Sequence, residues 1–172
     1  MKRKLAILVA AVLLALVLAI PASASQRMSF SATGTDMVEP EVIGFKSVGN
    51  RCFLAVAGET KFEGELMNGT GPYVHQTLIK GDCSTAPDPG TFAETFHDDK
   101  WFTGELLGRE GTMYGSCQGQ FYLDEPKRWE AHCVVHGVSG ELVGMHGTME
   151  WRGLLSEIGT RSYWGEVHFD PQ

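Results

Sequence analysis

Several groups of residues in this chain have the types and spacing that chemistry needs. Gly115-Ser116-Cys117-Gln118-Gly119 has the G-x-C-x-G spacing of a cysteine nucleophile elbow. That motif requires a strand-to-helix turn, and Gln120-Phe121-Tyr122-Leu123 continues instead as strand. Cys117 therefore reads as half of a disulfide. His132 and His136 lie four apart, which on a helix would suggest a shared metal. In a strand they stand about 13–14 Å apart at roughly 3.4 Å per residue, too far for one ion. No C-x-x-C pair occurs, so zinc is not expected and no metal site is assigned. Gly104, Gly108 and Gly111 lack the spacing of a phosphate loop, and no G-K-[ST] follows.

Alternation sorts the remaining candidates by face. Trp129, Ala131, Cys133 and Val135 form an apolar face, opposite Glu130, His132 and His136. On the preceding segment Met113, Gly115, Cys117, Gly119, Phe121 and Leu123 are apolar or small, against Tyr114, Ser116, Gln118 and Gln120. The polar faces read as a solvated exterior. Were they turned inward, Tyr114, Gln118, Glu130 and His132 would converge on a lumen and orient a ligand or move a proton. A second candidate set is Tyr73, His75 and Thr77, on one strand face with Ile79 and Cys83. The ligand-binding candidates are thus Tyr73, His75, Tyr114, Gln118, Glu130 and His132, and no catalytic residue is assigned. His97-Asp98-Asp99 and His146 fall in predicted turns, where solvated side chains are expected. Glu65, Glu105 and Glu141 are expected outside. Asn68-Gly69-Thr70 is a glycosylation acceptor if the source glycosylates its exports, and otherwise its Asn-Gly reads as a hairpin turn.

The elements that must position these residues are short, alternating and punctuated by glycine, an all-β signature. Strands are expected at Met28–Thr33, Val42–Val48, Cys52–Ala57, Thr60–Leu66, Tyr73–Lys80, Phe92–Phe96, Trp101–Leu107, Thr112–Leu123, Trp129–His136, Gly147–Trp151 and Tyr163–Phe169, some of which must merge or drop out. Loops are expected at Val38–Glu41, Asn68–Pro72, Ser84–Gly90 and Asp124–Lys127. Four cysteines in an exported chain suggest two disulfides, for which Cys52–Cys83 and Cys117–Cys133 are favoured among three connectivities. Cys117 and Cys133 flank a turn and both lie on apolar faces, as a cross-strand bridge requires.

Export is read from the first 24 residues. Lys2, Arg3 and Lys4 precede a charge-free run from Leu5 to Ile20, and Pro21-Ala22-Ser23-Ala24 supplies a cleavage site. The run is shorter than the roughly 20 residues of a bilayer span. A secreted domain over residues 25–172 is expected, extracellular or, in a Gram-negative source, periplasmic. Without the leader the chain keeps 11 basic and 21 acidic residues, a formal charge near −10. That excess of acid argues against nucleic acid and against anionic membranes.

The most specific feature is a repeat. Gly104-Glu105-Leu106-Leu107-Gly108-Arg109-Glu110-Gly111-Thr112-Met113 matches Gly140-Glu141-Leu142-Val143-Gly144-Met145-His146-Gly147-Thr148-Met149, with a partial copy at Phe62–Gly71. Four such units would fill the exported chain. One hairpin per unit gives a closed antiparallel β-barrel of about eight strands, the size that just fills with side chains or holds one small ligand.

The run from Phe102 to Met113, with Tyr114–Leu123, Trp129–His136 and the second Gly-Glu-Leu copy, resembles the allene oxide cyclase barrel superfamily. That superfamily includes plant allene oxide cyclases, dirigent proteins, bacterial spirotetronate-forming cyclases and many uncharacterised bacterial proteins. The match covers roughly Gly44 to Trp151, with Ser139 where the Gly-x-Gly form has its first glycine. It is a pattern of glycines and strand lengths, so it speaks to fold more than activity. The barrel's size and aromatic content point first to binding of a small, largely apolar molecule in its lumen or mouth. The resemblance implies an alternative, a cyclase or isomerase that needs no cofactor. A third reading is a cell-surface structural or protein-binding module, a homo-oligomer as in members that associate as trimers. Ligand identity, catalysis, oligomeric state and the lumen-facing strand faces stay open at this stage.

Overall fold

A computed structural model of the chain describes residues 26–80 and 94–171. Nine strands run antiparallel: β1 (Met28–Asp36), β2 (Glu41–Val48), β3 (Arg51–Glu63), β4 (Met67–Lys80), β5 (Glu94–Leu106), β6 (Arg109–Tyr122), β7 (Arg128–Gly140), β8 (Met145–Leu154) and β9 (Thr160–Phe169). They are hydrogen-bonded in the order β1-β9-β8-β7-β6-β5-β4-β3-β2. β1 also pairs with the end of β3, from Thr33 opposite Glu63 to Asp36 opposite Thr60. Eight strands thereby close into a barrel, with β2 outside the ring. β2 takes the stretch of β3 that β1 does not reach, from Val48 opposite Arg51 to Glu41 opposite Ala57.

Several expected segments merge. Cys52–Ala57 and Thr60–Leu66 are one strand, β3, which ends at Glu63; the described part of Phe92–Phe96 and Trp101–Leu107 are likewise one strand, β5, which ends at Leu106, while Phe92 and Ala93 lie outside the described residues. Asn68–Pro72 is not a loop but the start of β4, and His97–Asp99 and His146 lie in strands rather than turns. The reason is register: Asn68 and Gly69 pair with Glu105 and Gly104, so the turn falls earlier, at Gly64–Leu66. The Asn68 side chain holds that turn by bonding both the Gly64 N–H (3.3 Å) and its carbonyl (2.5 Å). The proposed leader and the Ser84–Gly90 loop lie outside the described residues, as does Cys83 and hence its pairing with Cys52. Cys117 and Cys133 are directly opposite on β6 and β7 and form a disulfide, both fully buried in the barrel.

The repeat builds one end of this barrel. Its copies supply the β3–β4, β5–β6 and β7–β8 turns, all at the same end. Leu106 and Leu142, equivalent in the two full copies, are completely buried there with Met67 and Met145. In the partial copy Leu66 is exposed and Met67 takes its place inside. The repeat glycines form a row across four strands: Gly69 pairs with Gly104, Gly104 with Gly111, and Gly111 with Gly140. A Cβ on any of them would lie 2.2–2.5 Å from a carbonyl oxygen of the neighbouring strand. Strands bent this sharply approach too closely for a side chain, which is why glycine recurs at this level. Phe62, Phe102 and Tyr163 stack edge-on just above and complete a solid plug.

Candidate functional site

The opposite end is open. Above the plug the lumen widens into a cavity of about 780 Å³. Strand alternation decides what faces it. Tyr73, His75, Thr77 and Ile79 line it from β4, Asp98 and Lys100 from β5, Trp129 from β7, and Trp151 from β8. The walls are apolar, with Leu54, Val56, Ile79, Phe121 and Trp129 among them. Met37, Val38, Val42, Phe45 and Ile158 carry the apolar surface out to the mouth, where each is at least half exposed. Glu94, on the wall, accepts hydrogen bonds from the Trp129 indole and, at 2.9 Å, from the Thr77 hydroxyl.

The floor is charged. His75 is the register partner of Asp98, and Tyr73 that of Lys100, so the four side chains meet across the β4–β5 seam. Asp98 is completely buried. Its Oδ1 lies 2.5 Å from His75 Nδ1, and its Oδ2 lies 3.5 Å from the Lys100 ammonium. Lys100 is also buried and sits 4.5 Å over the Tyr73 ring and 5.1 Å over the Trp151 indole. Arg161, at the start of β9, forks onto Asp36 at the end of β1 with contacts of 2.5 and 3.0 Å. Burial by itself would raise the Asp98 carboxyl. The Lys100 charge, the His75 hydrogen bond and charge, and the Arg161 charge outweigh it and hold the group below its ordinary range. Burial pushes the Tyr73 phenol up to about 12 against a smaller opposing pull from Arg161. Asp98 therefore stays a carboxylate and Tyr73 a neutral phenol.

Of the six residues singled out from the sequence, the structure brings Tyr73 and His75 together on this floor. The other four stand on the outer face. Tyr114 donates a hydrogen bond to Asp99 and packs between Trp101 and His136. Gln118, Glu130 and His132 border a shallow exterior groove of about 670 Å³ with Glu150, Arg152 and Trp164. Glu130 there accepts hydrogen bonds from Arg128 and Arg152, which outweigh its partial burial and lower its carboxyl. The site residues that the sequence reading placed in a turn or passed over are Asp98, Lys100 and Arg161. For the first two a signal exists: Phe96, Asp98, Lys100 and Phe102 alternate with the same parity, and the two phenylalanines mark the inward face. Arg161 shares parity with Tyr163, which is buried.

Among the described residues no group of three or more His, Cys, Asp or Glu is arranged to hold a metal ion. No helix among them is long and apolar enough to cross a membrane.

No protein family matches the chain, and no curated protein does. Its structure is similar to the crystal structure of a protein of unknown function from the DUF3224 family of Shewanella oneidensis MR-1, with a TM-score of 0.61 and 20 % identity. The likeness covers 85 % of this chain and 100 % of that one. At that identity what the two share is the fold.

Proposed function

We propose that this protein is exported and binds a small, largely apolar molecule in the open end of its barrel. The observation that carries the reading is the cavity: about 780 Å³, apolar-walled, reached through an apolar collar and closed below. That volume lies within the roughly 300–1,000 Å³ of small-molecule sites. Burying a ligand's apolar surface there contributes about 25 cal/mol per Å² removed from water. The buried disulfide fits an oxidising compartment.

Native mass spectrometry of protein purified from its own secretion medium tests both halves. The expected species begins at Ser25 and carries a small molecule released on unfolding. A chain that retains Met1–Ala24, found in the cell envelope, would overturn the export reading. Bare protein that also fails to enhance the fluorescence of neutral N-phenyl-1-naphthylamine would overturn the binding reading.

A further inference from the structure

We infer that His75 is a general base aimed into the lumen, so that the protein transfers protons on its ligand rather than merely carrying it. The inference rests on the lumen being a binding site and adds a chemistry to it. Asp98 approaches Nδ1 from behind the ring, at 2.5 Å, from a position with no exposure at all. As a carboxylate it can only accept, so Nδ1 carries the proton, and in the neutral imidazole the lone pair is the one on Nε2. The two ring nitrogens diverge, so a ring tied to the buried wall through Nδ1 turns Nε2 away from that wall. The His75 side chain is 19 % exposed, and the ring lines the cavity. Of the floor's His75, Asp98 and Lys100, it is the one most open to a ligand.

The surroundings fit a base better than a structural histidine. A solvated histidine is a poor base toward carbon because water competes for its lone pair. Here the cavity that His75 lines has Leu54, Val56 and Ile79 among its walls. The ring is held from two sides, by Asp98 and by Phe96, whose ring centroid is 4.7 Å away. Lys100, 3.5 Å from the other Asp98 oxygen, offsets the charge of that carboxylate. The other charged pair near the floor, Asp36 and Arg161, is closed on itself by a two-pronged contact. This is the division of labour of an oriented imidazole: one carboxylate fixes tautomer and direction, and the second nitrogen takes the proton. The substrate class is a neutral carbon acid with an apolar body, because the floor's cations already have anionic partners and an added anion would meet Asp98 in a medium of low dielectric. Asp98 is a positioning residue in this scheme and His75 the catalytic one.

The natural substrate is not needed for the test. 5-Nitrobenzisoxazole is small, flat, neutral and apolar. A base removes the proton from its C3, the C–H pair becomes part of the nitrile bond, and the N–O bond breaks to release coloured 2-cyano-4-nitrophenolate. His75 Nε2 gains the proton and returns it to water, so nothing else is consumed. Quenching of tryptophan fluorescence by the nitro ring reports entry, since Trp129 and Trp151 line the lumen. The wild-type chain should turn the probe over at least a hundredfold faster than an equal concentration of free imidazole. His75→Gln, which keeps a polar side chain of similar reach, should lose that advantage while still quenching. Asp98→Asn should lower kcat about tenfold or more with KM unchanged. Melting curves check that each variant is folded, and His75→Phe serves if His75→Gln is not. Quenching without turnover above free imidazole, or turnover that survives loss of His75, overturns the base and leaves the binding site standing. Failure of the probe to quench at all would count against the lumen as a binding site, and the base would fall with it.

Discussion

At the scale of the residue, the molecule turns on a carboxylate with no exposure to solvent. A buried charge is tolerated only when paired, and Asp98 has His75 on one oxygen and Lys100 on the other. Removing its charge would leave the buried Lys100 unopposed. Asp98→Asn should therefore cost about 3 kcal/mol of stability near neutral pH. The pH dependence follows from the direction of the shift. Folding holds this carboxyl below its ordinary 3.8, so its contribution is complete above that value and disappears as pH falls through the lower folded value. Urea unfolding of both chains should show the gap between wild type and Asp98→Asn narrowing as pH falls below the ordinary carboxyl value of 3.8. A gap that persists unchanged in acid would show that the loss is one of packing. Tyr73 and His75 were legible as a set because they share parity with Ile79 in an otherwise plain strand. Asp98 was not, because a His-Asp-Asp run has turn composition, and composition is the wrong guide when the neighbours on alternate positions are phenylalanines.

At the scale of the element, the repeat, the Cys117–Cys133 pairing and the loops at Val38–Glu41 and Asp124–Lys127 were legible, and the β3–β4 turn was not. The repeat was visible as glycine spacing, and its meaning is the row of paired glycines across β4 to β7. A Cβ at Gly111 would sit 2.3 Å from the Ser139 carbonyl oxygen. Gly111→Ala should destabilise the barrel by more than about 2 kcal/mol, since backbone on the neighbouring strand must move. Gly44 is the control: a Cβ there meets only the Ala55 methyl, at 3.4 Å, and Gly44→Ala should stay within about 0.5 kcal/mol. Thermal melting of the two variants side by side decides the matter, and equal melting temperatures would contradict the role given to the row. The Asn68-Gly69 dipeptide misled for the same reason. Its local preference is for a hairpin turn, but Gly69 is needed opposite Gly104, and pairing along twelve positions of β3 and β4 outweighs one dipeptide.

At the scale of the whole molecule, the two ends of the barrel differ in kind. The repeat end is filled by Leu106, Leu142, Met67 and Met145, while the other end keeps a cavity with an apolar collar. β2 makes that difference. It lies outside the ring, pairs only with β3 among the described strands, and leaves Val42 and Phe45 on the cavity mouth more than half exposed. Apolar groups so placed add little to folding, since they remain in water, but a ligand that covers them would gain from it. Phe45→Ser should weaken binding of N-phenyl-1-naphthylamine several-fold with little change in melting temperature. A fall in stability with affinity unchanged would make Phe45 part of the core instead.

The sequence by itself determined the all-β class and a barrel of about eight strands, favoured the Cys117–Cys133 bridge, and sorted the residues of β4, β6 and β7 into two faces without fixing which face lines the lumen. Each is a consequence of period-two alternation or of glycine spacing, and both are local and written directly in the order of residues. Only the tertiary structure decided that Asp98 and Lys100 are buried, that Arg161 reaches Asp36 across 125 positions of chain, and that Tyr114, Gln118, Glu130 and His132 look outward while His75 looks into a cavity. Those facts depend on register and closure. The partner of a strand residue lies on another strand, and a shift of one position would exchange every inside residue for an outside one.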